Sequence, residues 1–177
     1  KHKDFIQIRQ INAFATDALN IDATTYGAEA DLSYALTRVW KTWGTLAWTH
    51  GENDSSGKPL SQIAPLEARL GAGYDDKVWS AGALLRLVHG QTRYDTGYGN
   101  IVGQDIGASA GFAIFSLNAA WKPKKGVLLS AGVDNLFDKT YAEFISRSGA
   151  SVGGFTQTTR VNEPGRTLWL KANIALE

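Results

Sequence analysis

The sequence predicts an all-β chain, a set of antiparallel up-and-down strands from a transmembrane β-barrel. Three observations lead there. Apolar and polar residues alternate with period two in run after run, connections alternate between short turns and long polar loops, and aromatic residues gather beside the short turns. Composition agrees, with 19 Gly, only 4 Pro, and 6 Trp, 6 Tyr and 7 Phe, a mixture that suits strands and turns better than packed helices.

Taken in order, residues 4–9 read as the end of a first strand and residues 10–24 as a polar loop. Residues 28–36 place Ala28, Ala30, Leu32, Tyr34 and Leu36 on one face and Glu29, Asp31 and Ser33 on the other. A short turn at Leu36 to Arg38 leads into a weaker alternation over 40–50, then a polar loop over 51–62. The pattern returns in 66–74, turns at Asp75 to Lys77, and continues through 79–87 before a long loop over 91–110. Residues 115–121 and 127–134 form the next pair, joined by a turn at Lys122 to Gly126. The longest loop, 136–164, precedes a last run over 168–176. These are about eight strands with no helix, and the alternation of short and long connections is that of an outer-membrane barrel.

Face assignment follows from parity. Tyr34, Trp40, Tyr74, Trp79 and Trp121 lie near the short turns on the apolar parity, where they form one interfacial girdle. Glu29, Asp31, Glu67, Arg69, Arg86, Asp134 and Lys171 share the polar parity, which faces the lumen in a membrane barrel. A soluble sandwich or lipocalin-like barrel shows the same period with inside and outside exchanged. Two details favour the membrane arrangement: apolar faces built from Ala and Leu with aromatics at one end, and opposite faces of Gly, small polar residues and single charges.

Charge and composition exclude several function classes. Eighteen Lys and Arg against 17 Asp and Glu give a formal charge of +1, and the basic run at Lys122, Lys124 and Lys125 is isolated, so no nucleic-acid footprint is present. No segment reaches the roughly 18–20 apolar residues of a membrane helix, and mean hydropathy is −0.20. The absence of Cys and Met removes disulfides, a thiolate metal site, a Cys nucleophile and any sulfur ligand. The three histidines, His2, His50 and His89, and oxygen groups remain. With Lys1 first and no Met, the expectation is that processing or truncation removed the true start.

Residues 127–141, VLLSAGVDNLFDKTY, and 163–170, EPGRTLWL, resemble the last two strands of TonB-dependent outer-membrane receptors. In that family a GVxNLFDxxY element closes the penultimate strand and a PGR element opens the final one. The matching positions are Gly132, Val133, Asn135, Leu136, Phe137, Asp138 and Tyr141, then Pro164, Gly165 and Arg166. NIDATTYGAEADLSY at 20–34 is similar to another family strand, and Ile63, Ala64 and Pro65 to its loop-to-strand entry. GNIVGQDIGASAGFAIFSLNAAW at 99–121, with DKTYAEFISRSG and RVNEPGRTLWLK, resembles the copper-receptor branch.

The resemblance implies a barrel of about 22 strands with an N-terminal plug and energy supplied through TonB. On that reading residues 1–177 are the C-terminal part of the barrel, about its last eight strands, with the plug absent from this chain. Implied partners are outer-membrane lipids, the plug and the TonB complex, in the outer membrane of a Gram-negative bacterium, with no nucleic acid. Copper is the implied substrate, with a siderophore or other metal chelate as the alternative, and no cofactor is expected to be bound by this segment. Copper sites of this branch are expected to use Met, Cys and His, so the principal ligands are expected outside these residues. His50 and His89 end upward strands at the expected extracellular rim and are the weak metal candidates here. Family members finish on an outward aromatic; this chain reaches Glu177, and an aromatic is expected at the next position.

Lumen charges are expected either to hold the plug or simply to be solvated. The 136–164 loop, carrying Arg147, Arg160, Gly153 and Gly154, is expected either to cover the entrance or to move without touching ligand. Two further classes are open. His50 with Asp54 and His89 with Asp95 are raw material for hydrolysis, without nucleophile-elbow or triad spacing, so no enzyme is expected. A small closed eight-stranded structural or adhesion barrel requires residues 4–9 to pair with 166–176.

Overall fold

A computed structural model describes residues 1–12, 15–100, 103–149, 153–154 and 158–175. Eight long strands run up and down: β1 (His2–Asn12), β2 (Ala15–Ala35), β3 (Trp40–Asn53), β5 (Glu67–Asp75), β6 (Trp79–Val88), β8 (Phe112–Lys124), β9 (Val127–Asp134) and β10 (Thr167–Ile174). Two two-residue strands, β4 (Lys58–Pro59) and β7 (Tyr98–Gly99), lie in the loops. All pairs are antiparallel, in the order β10-β9-β8-β6-β5-β3-β2-β1-β7, with β4 on β3. β1 and β10 do not pair, so the sheet is open, an arc of barrel wall rather than a closed eight-stranded barrel.

Register places the apolar parity of every long strand on one outward face. Across neighbouring strands Leu32 faces Gly44 and Gly44 faces Leu70; Leu70 faces Leu85, and Leu85 faces Phe115. Leu117 faces Val133 and Val133 faces Leu168. These side chains have no protein partner to bury them: Leu32 is 74% exposed, Leu168 78% and Leu170 87%. A water-facing sheet with such a surface would aggregate, whereas lipid is its natural solvent.

Aromatics bound the apolar band. Near the short turns Trp40 meets Tyr74 at 5.3 Å between centroids, and Trp79 stacks on Trp121 at 5.4 Å. At the other end Tyr26 lies edge-on to Trp48 at 5.7 Å, and Phe115 stacks with Phe137. Tyr26 to Tyr34 is eight residues of one strand, a rise of roughly 27 Å that a tilt of about 40° reduces to about 20 Å, close to the height of an outer-membrane apolar band.

The expected loop over 10–24 is instead strand: β1 extends to Asn12 and β2 begins at Ala15. The alternation continues there, but its apolar member changes face. Leu19, Ile21 and Ala23 have inward parity and pack with Leu60 and Ile63, while Ala28, Ala30, Leu32 and Tyr34 on the same strand point outward. Above the bilayer the outer face meets water and the inner face meets folded loops, so the hydrophobic side reverses. β8 behaves alike, beginning at Phe112 rather than 115, with Phe112 and Ile114 inward beside Val88 and Tyr141. The two buried clusters therefore sit at the loop end, on the inner face. The last run ends at Ile174; Leu176 and Glu177 lie outside the described residues.

Turn chemistry fixes the other end. Thr37 Oγ1 accepts the Trp40 N–H at 3.0 Å, and Gly126 supplies φ of 77° in the β8–β9 turn. Asp76 accepts the N–H groups of Trp79 and Val78 and the Tyr74 hydroxyl. The Trp79 N–H first, then the Tyr74 O–H, hold its carboxyl below the ordinary range. That contribution is present above the unfolded pKa and is lost as pH falls through the lowered folded one.

On the lumen side Trp43 lies flat over Gly71 and Trp169 over Gly132, so a Cβ at either glycine would enter the indole ring. Gly132→Ala is expected to destabilise the wall by about 1–3 kcal/mol through overpacking, and to be nearly neutral in a Trp169→Ala background. Urea unfolding of vesicle-inserted protein measures both, and an equal cost in the two backgrounds contradicts the packing account.

Candidate functional site at the loop end of the lumen

Three charges of the polar parity come together where β5 and β6 reach the loops. Arg86 on β6 donates from Nη2 to Glu67 Oε2 at 2.8 Å and from Nε to Glu67 Oε1 at 3.0 Å, and Arg69 adds a bond from its own Nε. Arg86 also holds Glu143 through Nη1 and Nη2, with its guanidinium 5.3 Å from the Phe112 ring. Glu143 belongs to the β9–β10 loop and was not singled out by sequence. Its pairing bends that loop onto the inner wall. Glu29, Asp31, Asp134 and Lys171 stand elsewhere on the same face, opposite Ala47, Thr45, Thr167 and Ser130, and join no ion pair among the described residues.

Removing Arg86 leaves two half-buried carboxylates facing one another. Arg86→Ala is expected to loosen the loop by about 1–2 kcal/mol, the lower end of the range for a partly screened pair. Limited proteolysis within 136–164 reads this as roughly tenfold faster cleavage, with Arg86→Lys intermediate.

The same loop is held at three other points. Arg160 donates from Nε to the Phe144 carbonyl at 3.2 Å, from Nη1 to Ala108 at 2.8 Å and from Nη2 to Gly107. Phe144 is buried beneath it, and Tyr141 packs on Phe112 at 4.4 Å. Burial pulls the Arg160 guanidinium below the ordinary arginine value, with the charge of Asp105 acting the other way. The motif residues form the loop's base. Asn135, buried and at φ 51°, exchanges bonds with the Lys139 backbone at 2.8 Å and reaches the Pro164 carbonyl at 3.4 Å. Asp138 accepts the Arg166 N–H at 2.7 Å, and a side chain at Gly165 would collide with that carboxylate. Leu136 N–H donates to the Phe115 carbonyl, and Phe137 lies outward. The NLFD and PGR elements thus clasp one another and close the neck of the long loop.

The β6–β8 loop crosses the mouth. It leaves β6 yet places β7 against Ile8 and Arg9 of β1, at the far side of the arc. Asp105 is the pin: 1% exposed, it accepts the Gln62 N–H at 3.0 Å, the Gln62 side-chain amide at 2.9 Å and the Asp95 N–H at 3.0 Å. Beside it Asn53 donates to Gln7 Oε1 at 3.2 Å and Gln7 donates to Ser61 at 3.1 Å. Lys58 pairs with Asp95 at 3.0 Å. Sequence reasoning missed Asp105, Gln7 and Asn53 because polar residues in polar stretches carry no sign of burial.

His50 and His89 line one cavity of about 300 Å³, together with Trp48 and Arg93. His50 stacks on Tyr26 at 4.8 Å and its Nε2 accepts from Arg93 at 3.2 Å, while His89 Nδ1 donates to the Gly90 carbonyl. His50 does not meet Asp54, which accepts from Thr24, and His89 does not meet Asp95, which accepts from Lys58; His50 Nε2 lies 4.0 Å from Glu52. Among the described residues no three His, Asp or Glu gather as a metal site. His2 lies at the start of β1, on Thr25 at 3.0 Å.

A family model for the TonB dependent receptor-like β-barrel matches residues 1–136. No curated protein sequence matches. Among solved structures, a copper transporter, OprC, is 46% identical with a TM-score of 0.93, over 98% of this chain and 27% of that one. The ferric enterobactin receptor PfeA of Pseudomonas aeruginosa is 25% identical with a TM-score of 0.67, over 90% of this chain and 23% of that one. The FrpB iron transporter of Neisseria meningitidis, 20% identical at a TM-score of 0.66, shares the fold over 97% of this chain and 27% of its own. The chain thus spans about a quarter of the length of these proteins. A strand order without closure, an apolar outer face between two aromatic rows, and loops folded onto the inner face all agree with the matched family model: the chain belongs to the TonB-dependent receptor β-barrel family.

Proposed function

We propose that these residues form part of the barrel wall and extracellular loops of an outer-membrane transporter of Gram-negative bacteria that takes up copper with energy from TonB. The observation that carries this reading is the 46% identity to a copper transporter over 98% of the chain, against 25% for the ferric enterobactin receptor. The protein is a receptor and carrier, not a catalyst.

Copper is substrate rather than cofactor here. These residues include no Cys or Met, and no described cluster supplies three ligands. The copper ligands of the whole receptor therefore belong to other parts of it, the plug foremost, and this segment supplies wall, rim and gate. His50 and His89 contribute at most a transient encounter at the rim. Glu29, Asp31, Asp134 and Lys171 are the proposed plug contacts, since exposed lumen charges that join no ion pair among the described residues are available to a partner inside the barrel. Substrate binding at the mouth would favour one loop arrangement, and TonB would remodel the plug.

Uptake by cells expressing the receptor at its full natural length tests the reading. Copper accumulation that requires TonB and exceeds zinc or ferric-chelate uptake is the expected result. Equal uptake of all three, or ferric-chelate uptake alone, defeats the copper assignment and favours the siderophore alternative.

A further inference from the structure

The loop end of the wall holds an imidazole between two charges of opposite sign. His50 is the next outward position of β3 beyond Trp48 towards the loops, opposite Tyr26 of β2, whose ring stacks on it at 4.8 Å. Its Nε2 lies 3.2 Å from Arg93 Nη2 and 4.0 Å from Glu52 Oε2. A guanidinium has only N–H donors, so the imidazole accepts from it and carries its own proton on Nδ1. The other elements around His50 add little charge. Tyr26 contributes a phenol, and residues 59–66 are all uncharged. His89, beyond the end of β6, lines the same cavity and bonds the Gly90 carbonyl.

Arg93 belongs to the start of the loop that crosses the mouth. Gln91 fastens the chain before it, through the Ser109 backbone and the Ile63 carbonyl. Asp95 fastens it after, through Asp105 and Lys58. Between these points the Arg93 side chain reaches back to β3, donating to His50 and, at 3.4 Å, to the Gly51 carbonyl. Among the described residues its guanidinium joins no ion pair. The longer bond to Gly51 is at the weak end of the range, so His50 is its main hold on the rim.

We propose that His50 is a pH-operated latch for the mouth-crossing loop. While the imidazole is neutral, Nε2 accepts from Arg93 and the start of the loop is fastened to β3. A proton taken up from solvent at Nε2 turns that acceptor into a donor aimed at a cation. The imidazolium and the guanidinium then repel one another, Glu52 attracts the imidazolium, and Arg93 is released. Release takes up one proton, so the fastening is present at high pH and is lost as pH falls through the titration of the imidazole. The latch depends on the fold, and neither on copper nor on TonB.

Trypsin cleavage after Arg93 reads the latch directly, since the protease must take the free guanidinium into its own pocket. The receptor at its full natural length is digested in detergent at pH 7.5 and pH 5.5, and the fragment ending at Arg93 is counted by mass spectrometry. Each rate is divided by that of an unstructured peptide of the same local sequence at the same pH. Cleavage is expected to be about tenfold faster at the lower pH. His50→Gln, whose side-chain oxygen accepts from Arg93 and takes no proton, is expected to keep it slow at both. His50→Ala is expected to make it fast at both. Glu52→Gln removes the partner of the imidazolium and is expected to reduce the acid-driven gain, while His89→Gln leaves it intact. Equal rates for the natural protein overturn the proposal, as does a gain that survives His50→Gln, is undiminished in Glu52→Gln or disappears with His89→Gln. Slow cleavage of the His50→Ala protein at pH 7.5 also overturns it, because another group then holds Arg93.

Discussion

Arginine at Ala119 is expected to cost the wall about 2–4 kcal/mol, and arginine at Asn118, the residue before it, less than about 1 kcal/mol. Both positions lie on β8, midway between Phe115 and Trp121 of the two aromatic rows. Register sets Ala119 opposite Ala81 and Ala131 on the outward face, whereas Asn118 stands between Gly82 and Gly132 on the inward one. An outward guanidinium at that depth must snorkel or draw water into hydrocarbon, while an inward one meets the aqueous lumen. Folding into phosphatidylcholine vesicles, followed by urea titration, measures the two costs. Equal costs, or a larger one at Asn118, would mean that the faces are reversed.

The second large effect is expected at Asp105. Asp105→Ala strands three N–H donors, two on Gln62 and one on Asp95, in a site that admits almost no water. Each stranded donor costs on the order of 1 kcal/mol or more, so the mouth-crossing loop is expected to lose about 3 kcal/mol of local stability. Hydrogen exchange at Asp95, Gly97 and Gln62 is then about a hundredfold faster. Asp105→Asn separates the contributions. Its carbonyl keeps both Gln62 donors, but its amide group opposes the Asp95 N–H, so about a tenfold acceleration centred on Asp95 is expected. The bilayer-spanning parts of β5, β6 and β8 are expected to exchange as before. Unchanged exchange in the Asp105→Ala protein contradicts the assignment of Asp105 as the pin.

The membrane-spanning halves of the strands were legible because lipid imposes one rule along their whole length, apolar outward. Residues 28–36 and 115–121 show this in the plainest form, and the Trp40–Tyr74 and Trp79–Trp121 ring pairs lie at its turn end. The rule changes at the bilayer surface. Leu19, Ile21, Phe112 and Ile114 are apolar on the other parity, so a search for one continuous face takes the top of β2 for a loop. Such a reversal is itself a readable signal: it marks where a barrel strand leaves lipid and begins to support a folded loop.

The candidate site was legible only in part. Glu67, Arg69 and Arg86 stood out as charges on a polar parity, and their convergence follows from register. Glu143 did not, because its role depends on where a long loop lies. The NLFD and PGR elements were recognisable as patterns, and their work as a clasp, Asn135 on the Lys139 and Pro164 backbone and Asp138 on Arg166, emerges only with the chain folded. Asp105 has no sequence mark at all, since burial of a loop carboxylate is decided by the donors that surround it.

Underlying the whole reading is one claim, that the apolar face of this sheet is in contact with lipid. A nitroxide scan along residues 115–121 tests it most directly, and the natural absence of cysteine makes single attachment sites simple to introduce. In vesicles, collision with oxygen is expected to peak at Phe115, Leu117, Ala119 and Trp121, and collision with a water-soluble nickel chelate at Ser116, Asn118 and Ala120. The opposite phase, or no period of two, would contradict the account.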